Sequence, residues 1–137
     1  MSDALRSMRS AGQLVLLFLG LALVVLAQEE DYEKAFESVD PDEILNNDRI
    51  LDSYVRCFLG TGSCNEHAAT IKKTIPEVMS TVCGKCSDKQ KAVFKHSLEV
   101  FIPKRPEDWK KMLKAYDPNG EYEPKIMEFL KTWTPPS

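Results

Sequence analysis

Four cysteines constrain this chain of 137 residues more than any other feature of its sequence. Cys57 and Cys64 enclose a loop of six residues with two glycines, and Cys83 and Cys86 enclose two residues. In an exported domain of about one hundred residues, an even number of cysteines indicates a disulfide framework. Four cysteines allow three pairings, and spacing alone does not choose among them. The short, turn-forming loops favour local pairing, which would join helix ends without linking distant parts of the chain.

The first 27 residues predict export. A basic N-terminal region precedes an almost unbroken apolar run of 14 residues, Leu14 to Ala27. Such a run suits a signal peptide and is shorter than the ~20 residues of a membrane-spanning helix. Small residues occupy the −3 and −1 positions before Gln28. We therefore expect a signal peptide over residues 1–27 and a secreted, extracellular domain over residues 28–137 without stable membrane insertion; an uncleaved signal anchor is the alternative.

The expected mature chain of 110 residues is long enough for one domain with a modest core. Loss of Asp3, Arg6 and Arg9 with the leader changes the formal net charge from −3 to −4. This acidic balance argues against nucleic acid or an anionic membrane surface as the main partner.

Apolar side chains recur at helical spacing through residues 28–137, and no run alternates as a strand does. One helix is predicted to begin after Asp40, with Pro41 in its first turn, and to continue until the glycines at positions 60 and 62. One or two helical turns are expected before it. Two capping boxes, Ser63–Glu66 and Ser87–Gln90, predict the next two helix starts.

Prolines divide the remaining sequence. Pro76 should kink or split the helix that follows Ser63, and Pro103 should end the helix that follows Ser87. Two further helices are predicted after Pro106 and Pro124, with a turn at residues 117–120 between them. The predicted fold class is all-α, with five or six short helices in an irregular globular packing. Periodicity does not show whether their shared interior is a dry core or a cavity.

Several motifs together resemble the insect chemosensory proteins, known also as OS-D-like, pherokine and ejaculatory-bulb proteins. The cysteine spacing is the hallmark of that family, and the resemblance runs from about Asp31 to Tyr122. The matching segments are Asp42–Leu45 with Arg49–Leu51 ("DEIL…RL"), Tyr54–Cys57 ("YxxC"), Cys86–Gln90 ("CxxxQ"), and Trp109–Leu113 with Lys114–Gly120 ("WxxL…KYDPxG").

The resemblance implies about six helices around an internal apolar channel, local pairing of Cys57 with Cys64 and of Cys83 with Cys86, and no catalysis. It implies a carrier, expected to be monomeric and to need no cofactor or metal, for a long-chain fatty acid, alcohol, ester or similar semiochemical. Burial of methylenes at roughly 0.8 kcal/mol each would hold chains of about 12–18 carbons. The candidate ligand-binding residues are Phe36, Tyr54, Ile71, Ile75, Gln90, Phe94, Leu98, Trp109 and Met112.

Two of these candidates carry a polar atom. Tyr54 and Trp109 lie at helical spacing among apolar residues, and by sequence alone an ordinary core position is favoured for both. Each has a group that seeks a partner when buried, which also suits the rim of a cavity. The resemblance favours the second interpretation, because the matching Tyr and Trp of the family lie at its channel.

Other chemistries are less favoured. Cys83-Gly84-Lys85-Cys86 has the form of a redox dithiol, but no strand–helix–strand pattern surrounds it, and the cysteine spacing is loose for a zinc site. The two histidines, His67 and His96, lie in polar stretches and are expected on the solvated surface. The lysine clusters at 72–73, 89–95 and 110–114 are expected on solvated helix faces, or at a channel mouth where one could attract a carboxylate.

Two alternatives to a carrier stay open. One is a secreted signalling or structural protein, in development, reproduction or immunity, that acts through a partner surface; a large exposed apolar patch without a cavity would favour it. The other is an oxidoreductase that uses Cys83 and Cys86.

We predict that the leader is cleaved after Ala27, because the −3 and −1 positions then carry small residues. N-terminal sequencing of the secreted protein should give a chain that begins at Gln28 or within a few residues of it. A secreted form that retains the apolar run would contradict the prediction.

Overall fold

The computed structural model describes the backbone of residues 2–137 and the side chains of residues 15–27 and 29–137. The side chains of Arg6, Arg9 and Gln28, which support the predicted leader and its cleavage site, lie outside the described residues. Within the described backbone there are seven helices and no strand: α1 (Ser2–Phe36), α2 (Pro41–Leu45), α3 (Asp48–Phe58), α4 (Glu66–Thr81), α5 (Asp88–Lys104), α6 (Pro106–Tyr116) and α7 (Glu123–Thr132). The all-α prediction is confirmed.

The chain divides into two units, one that ends at Glu30 and one over Asp31–Ser137. In the first unit, the described apolar side chains of residues 15–27 are exposed to solvent. Among the residues described with side chains, no helix has the length and apolar character to cross a membrane. The second unit contains the buried core described below.

Asparagine side chains set two helix starts that the apolar pattern does not reveal. The helix predicted from Asp40 to the glycines is two helices, α2 and α3, because the Asn47 side chain accepts a hydrogen bond from Ile50 N at 3.2 Å. The predicted capping box at Ser63 is wrong, since Asn65 caps α4 by accepting from Ala68 N at 2.7 Å. Asparagine competes well for free backbone N–H groups, and the cap that forms interrupts an otherwise continuous periodicity.

The other predicted boundaries hold more closely. Ser87 and Gln90 form the reciprocal capping box of α5, with distances of 3.0 and 3.2 Å. The same helix ends at Lys104, one residue beyond Pro103. α4 continues through Pro76, so the helix is not split there. Burial of residues on both sides of the proline, including Ile75 and Val78, offsets the backbone hydrogen bond that proline removes.

Helices α4 and α5 connect the other helices of the second unit. Helix α4 packs against α3 and α6, while α5 packs against α2, α6 and α7. One buried cluster joins α4 to α6 and α7 through Ile75, Met79, Trp109, Met112 and Ile126. These are the apolar faces that the sequence predicts, and their mutual burial holds the helices together.

Polar contacts fix the periphery of this packing. Arg105, between α5 and α6, pairs with Asp52 of α3 at 2.5 Å and with Asp108 at 3.3 Å. The Tyr116 hydroxyl donates to the Phe58 carbonyl at the end of α3 at 2.6 Å. The Arg105–Asp52 pair joins α3 to the α5–α6 corner, and the Tyr116 contact joins the end of α6 to the end of α3. The ends of these helices therefore keep fixed positions around the interior.

Asp117 organises the predicted turn between α6 and α7. Its buried carboxylate accepts hydrogen bonds from the backbone N–H groups of Glu121, Tyr122 and Glu123 at 2.8–3.1 Å. Burial by itself would raise the pKa of Asp117, but these N–H groups stabilise the charged form more and hold the pKa below its ordinary value. Gly120 supplies the left-handed residue of the turn, with φ of 67°.

We predict that Asp117→Asn destabilises the protein in a pH-dependent way. A carboxyl with a lowered folded-state pKa stabilises the fold fully above its unfolded pKa of about 3.9, and this contribution is lost as the pH falls further. The difference in free energy of unfolding between wild type and variant should be largest above about pH 5 and should shrink below about pH 4.

Denaturant titrations of both proteins across this range measure the difference. The matched control is Glu121→Gln, which neutralises an exposed carboxylate of the same turn and should leave the free energy of unfolding nearly unchanged. An Asp117→Asn effect of constant size at every pH would contradict the prediction.

Candidate functional site

The second unit encloses an apolar cavity with a volume of about 190 Å³. An engineered apolar cavity of roughly 150 Å³ takes up benzene, so a cavity of this size, which is also partly open to solvent, can take up apolar ligand groups. Its lining residues come from the end of α1, from α2–α6 and from the α1–α2 connection. The interior is therefore a cavity and not a fully packed core.

Eight of the nine candidate ligand-binding residues line this cavity. They are Phe36, Tyr54, Ile71, Ile75, Phe94, Leu98, Trp109 and Met112. Gln90 does not line it, because its side chain is committed to the capping box of α5, where it accepts from Ser87 N. This structural role accounts for the position of the Gln90 side chain, and its ligand contact stays a prediction. The ligand contacts of the other eight stay predictions.

The side chains that the prediction missed are mostly apolar and come from α1–α5 and the α1–α2 connection, together with three polar residues. The apolar ones that the helical spacing could have supplied are Ile44, Leu51, Val55, Phe58, Val78, Met79 and Phe101, and the polar ones are His67, Thr74 and Ser97. The helical spacing of apolar residues does not reveal these three polar residues, because their neighbours in the sequence differ from them in position relative to the cavity.

His67 corrects a prediction. It was expected on the solvated surface, but it is only partly exposed and lines the cavity. The reason is its set of partners: Nδ1 lies 2.9 Å from the Tyr54 hydroxyl, and Nε2 lies 3.3 Å from the Ala35 carbonyl oxygen. His96 is exposed as expected, and its Nε2 lies 2.6 Å from Asp42 Oδ1.

The donor and acceptor capacities of the Ala35 carbonyl, the His67 ring and the Tyr54 hydroxyl determine where their protons lie. The Ala35 carbonyl can only accept, so Nε2 of neutral His67 carries the proton and donates to it. Nδ1 is then an acceptor and takes the hydroxyl proton of Tyr54. The contact also satisfies a carbonyl in the last turn of α1, where helices leave such groups without an internal partner. His67 therefore joins α1, α3 and α4 at the cavity wall.

The Cys57–Cys64 disulfide lies next to this pair. The bridge forms as predicted, with a Cα–Cα separation of 4.9 Å, and links the last turn of α3 to the residue before the N-cap of α4. Tyr54 lies three residues before one cysteine and His67 three residues after the other. Tyr54 and Cys57 share a face of α3, and His67 lies in the first turn of α4, so the bridge brings both side chains to one place.

The Cys83–Cys86 disulfide also forms as predicted. Both cysteines are buried in a cluster with Tyr32, Val78 and Phe94, so the bridge supports the wall of the cavity formed by α1, α4 and α5. No cysteine of the chain is free. In this disulfide-bonded form the four sulfurs are not available as thiolate ligands for zinc.

Tyr32 packs the end of α1 onto this second bridge. Burial, followed by the nearby charge of Glu77, raises the pKa of Tyr32 to about 12. Lys85, inside the disulfide loop, pairs with Glu77 at 2.8 Å. The phenol thus stays neutral beside a carboxylate whose charge is balanced by a lysine.

The cavity lining contains no lysine, arginine, aspartate or glutamate among the residues that the structure describes. The lysine clusters at 72–73, 89–95 and 110–114 therefore do not supply a lining cation. Several of their members are engaged elsewhere: Lys95 donates to the Trp133 carbonyl at 2.7 Å, and Lys110 pairs with Glu107 at 3.1 Å. Trp133, whose role the sequence leaves open, stacks on Phe129 with ring centroids 5.4 Å apart.

Comparison with known proteins identifies the family. Residues 32–124 match the insect pheromone-binding family A10/OS-D. The chain belongs to this family. Among its relatives is the putative odorant-binding protein A10 of Drosophila melanogaster, 40% identical over 100 residues that cover 73% of this chain and 64% of that protein. The chain thus spans slightly less than two thirds of that relative's length.

Two further relatives are matched over a larger share of their own length. Ejaculatory bulb-specific protein 3 of Drosophila melanogaster is 34% identical over 110 residues, which cover 80% of this chain and 87% of that protein. A chemosensory protein solved in complex with bromo-dodecanol has a TM-score of 0.63 and 28% identity, over 71% of this chain and 97% of that one. The A10/OS-D family is one of binding proteins, and this member shares its fold.

We predict that the two disulfides of this A10/OS-D protein differ in their effect on the Tyr54–His67 pair. Replacing either pair of cysteines by serine should lower the free energy of unfolding by about 2–3 kcal/mol and leave most of the helicity in place. Only Cys57→Ser with Cys64→Ser should shift the ring nitrogen resonances of His67, because that bridge joins the two helices that carry the pair.

The variant Cys83→Ser with Cys86→Ser is the matched control, and His96 is the internal reference in the same spectra. Equal shifts of the His67 resonances in the two double variants would contradict the prediction, as would complete loss of the far-ultraviolet helical signal in either one.

Proposed function

We propose that this protein is a secreted carrier that holds one long-chain apolar ligand, such as a fatty alcohol, ester or acid, in its internal cavity. The single observation that supports this proposal most strongly is the cavity itself, which eight predicted binding residues line and which contains no fixed charge. Membership of a pheromone-binding family and likeness to a chemosensory protein in complex with bromo-dodecanol support the same conclusion.

Apolar burial would supply the affinity. At about 0.8 kcal/mol per methylene, complete burial of a saturated chain of about sixteen carbons would gain at most roughly 13 kcal/mol on transfer from water. Association costs at least about 4 kcal/mol in lost translational and rotational freedom. The remainder corresponds to dissociation constants in the micromolar range or somewhat below. Because one methylene changes affinity only modestly, such a carrier should accept neighbouring chain lengths.

We predict that a long-chain alcohol perturbs the emission of Trp109 saturably. Trp109 lines the cavity and is 6% exposed, whereas Trp133 lies outside the lining. In the variant Trp133→Phe, titration with hexadecanol should therefore change the tryptophan emission with a micromolar midpoint.

The matched control is Trp109→Phe, which keeps Trp133 as the only tryptophan and should show little change on the same titration. Absence of saturable binding to any alcohol, ester or acid of about 12–18 carbons, measured also by calorimetry, would leave the carrier proposal without support.

A further inference from the structure

A short segment of the chain separates the cavity from solvent on one side. We call this segment, residues 36–45 from the end of α1 to the end of α2, the strap. The strap residues that line the cavity are Phe36, Val39, Pro41, Ile44 and Leu45. All of them except Leu45 are also partly exposed to solvent. The strap is therefore a single layer of chain between the cavity and the surrounding water.

Apolar packing holds the two ends of the strap but not its middle. Phe36 packs against the buried cluster around the second disulfide, and Leu45 belongs to a buried cluster with residues of α3. Val39 and Pro41, which lie between them, belong to none of the buried clusters in the described part of the chain. A helix as short as α2 is not stable without tertiary contacts. The middle of the strap, residues 37–43, thus depends on its polar contacts.

Two ion pairs hold this middle section against α5. The carboxylate of Glu37 lies 3.4 Å from Lys89 Nζ. Asp42 Oδ1 lies 2.6 Å from His96 Nε2. Lys89 and His96 are seven residues apart, or about two helical turns, so they share one face of α5. Val93 lies between them on that face and lines the cavity, so the two pairs join the strap to α5 at the cavity wall.

The contact between Asp42 and His96 is the one whose strength depends on pH. Histidine changes its charge between about pH 5 and 8, whereas carboxylates and lysine amines keep theirs. With His96 protonated, the contact is a charged hydrogen bond, which is about twice as strong as a neutral one. The two side chains are 48% and 47% exposed, so water screens the contact and its total contribution is modest.

Asp42 is the charged partner that faces His96. The neighbours of His96 on α5, Lys95 and Glu99, pair with each other at 3.7 Å. In the described part of the chain, no charged side chain of α6 or α7, which also pack on α5, lies within ion-pair distance of His96. The other histidine, His67, contacts the end of α1 and not α5. A pH effect on the middle of the strap is therefore assigned to one pair.

We propose that the strap is the gate of the cavity and that the Asp42–His96 contact is a latch that holds it closed more tightly at acidic pH. Opening moves residues 37–43 away from α5 while the apolar ends keep their places. It exposes little additional apolar surface, because Val39 and Pro41 are already partly exposed. The inference rests on the carrier function proposed above and adds how that carrier takes up and releases its ligand.

The exchange kinetics of an uncharged ligand test the latch. Association and dissociation of dodecanol are followed by stopped-flow emission of Trp109 in the variant Trp133→Phe, at about pH 5.5 and about pH 8. Both steps pass through the open strap, so a weaker latch accelerates both by the same factor and leaves the dissociation constant unchanged. Both rates should be about 2- to 5-fold higher at the alkaline pH, the size expected for an exposed charged contact.

Two variants in the same background should abolish this pH dependence in opposite ways. Asp42→Asn removes the charge that His96 meets, so exchange should be fast at both pH values. His96→Lys keeps a permanent positive charge opposite Asp42, so exchange should be slow at both. The matched control is Glu43→Gln, which neutralises an exposed carboxylate in the same first turn of α2 and should retain the pH dependence of the parent protein.

The outcomes separate the gate from the carrier function. If dodecanol does not bind, both are overturned. If it binds and its rates are equal at the two pH values, the latch is wrong and the carrier function stands. The same conclusion follows if Asp42→Asn retains the pH dependence, which would then belong to His67. A changed dissociation constant in Asp42→Asn without a parallel change in both rates would also overturn the gate, because the contact would then shape the bound state and not the route to it.

Discussion

The covalent junction between α3 and α4 is the constraint on which the cavity wall depends. Cys57 and Cys64 close a short loop, so the end of one helix and the start of the next stay about 5 Å apart at their Cα atoms whatever fills the interior. Tyr54 and His67 face each other one helical turn from this junction. A local disulfide contributes little to global topology, but here it fixes the Tyr54–His67 contact in a largely apolar wall.

The cavity lowers the free energy of unfolding, and the remaining interactions of the fold must compensate for this loss. At about 24 cal/mol per Å³, an empty space of 190 Å³ destabilises a protein by roughly 4–5 kcal/mol. This is a large part of the 5–15 kcal/mol by which domains are typically stable. The peripheral contacts of Arg105, Tyr116 and Asp117 hold helix ends in place without filling the interior. A ligand that fills the space would stabilise the folded state further by mass action.

Local sequence signals predicted the helices well where one residue decides the boundary. Ser87 and Gln90 satisfy each other's backbone groups, and Pro106 begins α6 because its fixed φ suits a first turn. The signals failed where two of them compete. The apolar spacing from Ile44 to Leu59 is continuous, yet the Asn47 cap divides it, since a cap hydrogen bond and a periodic face are independent local preferences.

The sequence by itself determined the helical class, most helix boundaries, the two short loops between cysteines and eight of the residues that surround the interior. It could do so because caps, prolines and 3.6-residue periodicity act within a few neighbouring residues. Only the tertiary structure decided that the interior is a cavity, that Gln90 turns away from it and that His67 turns toward it. His67 meets Tyr54 across 13 residues and Ala35 across 32, and contacts between different helices are set by their packing, which no local pattern encodes.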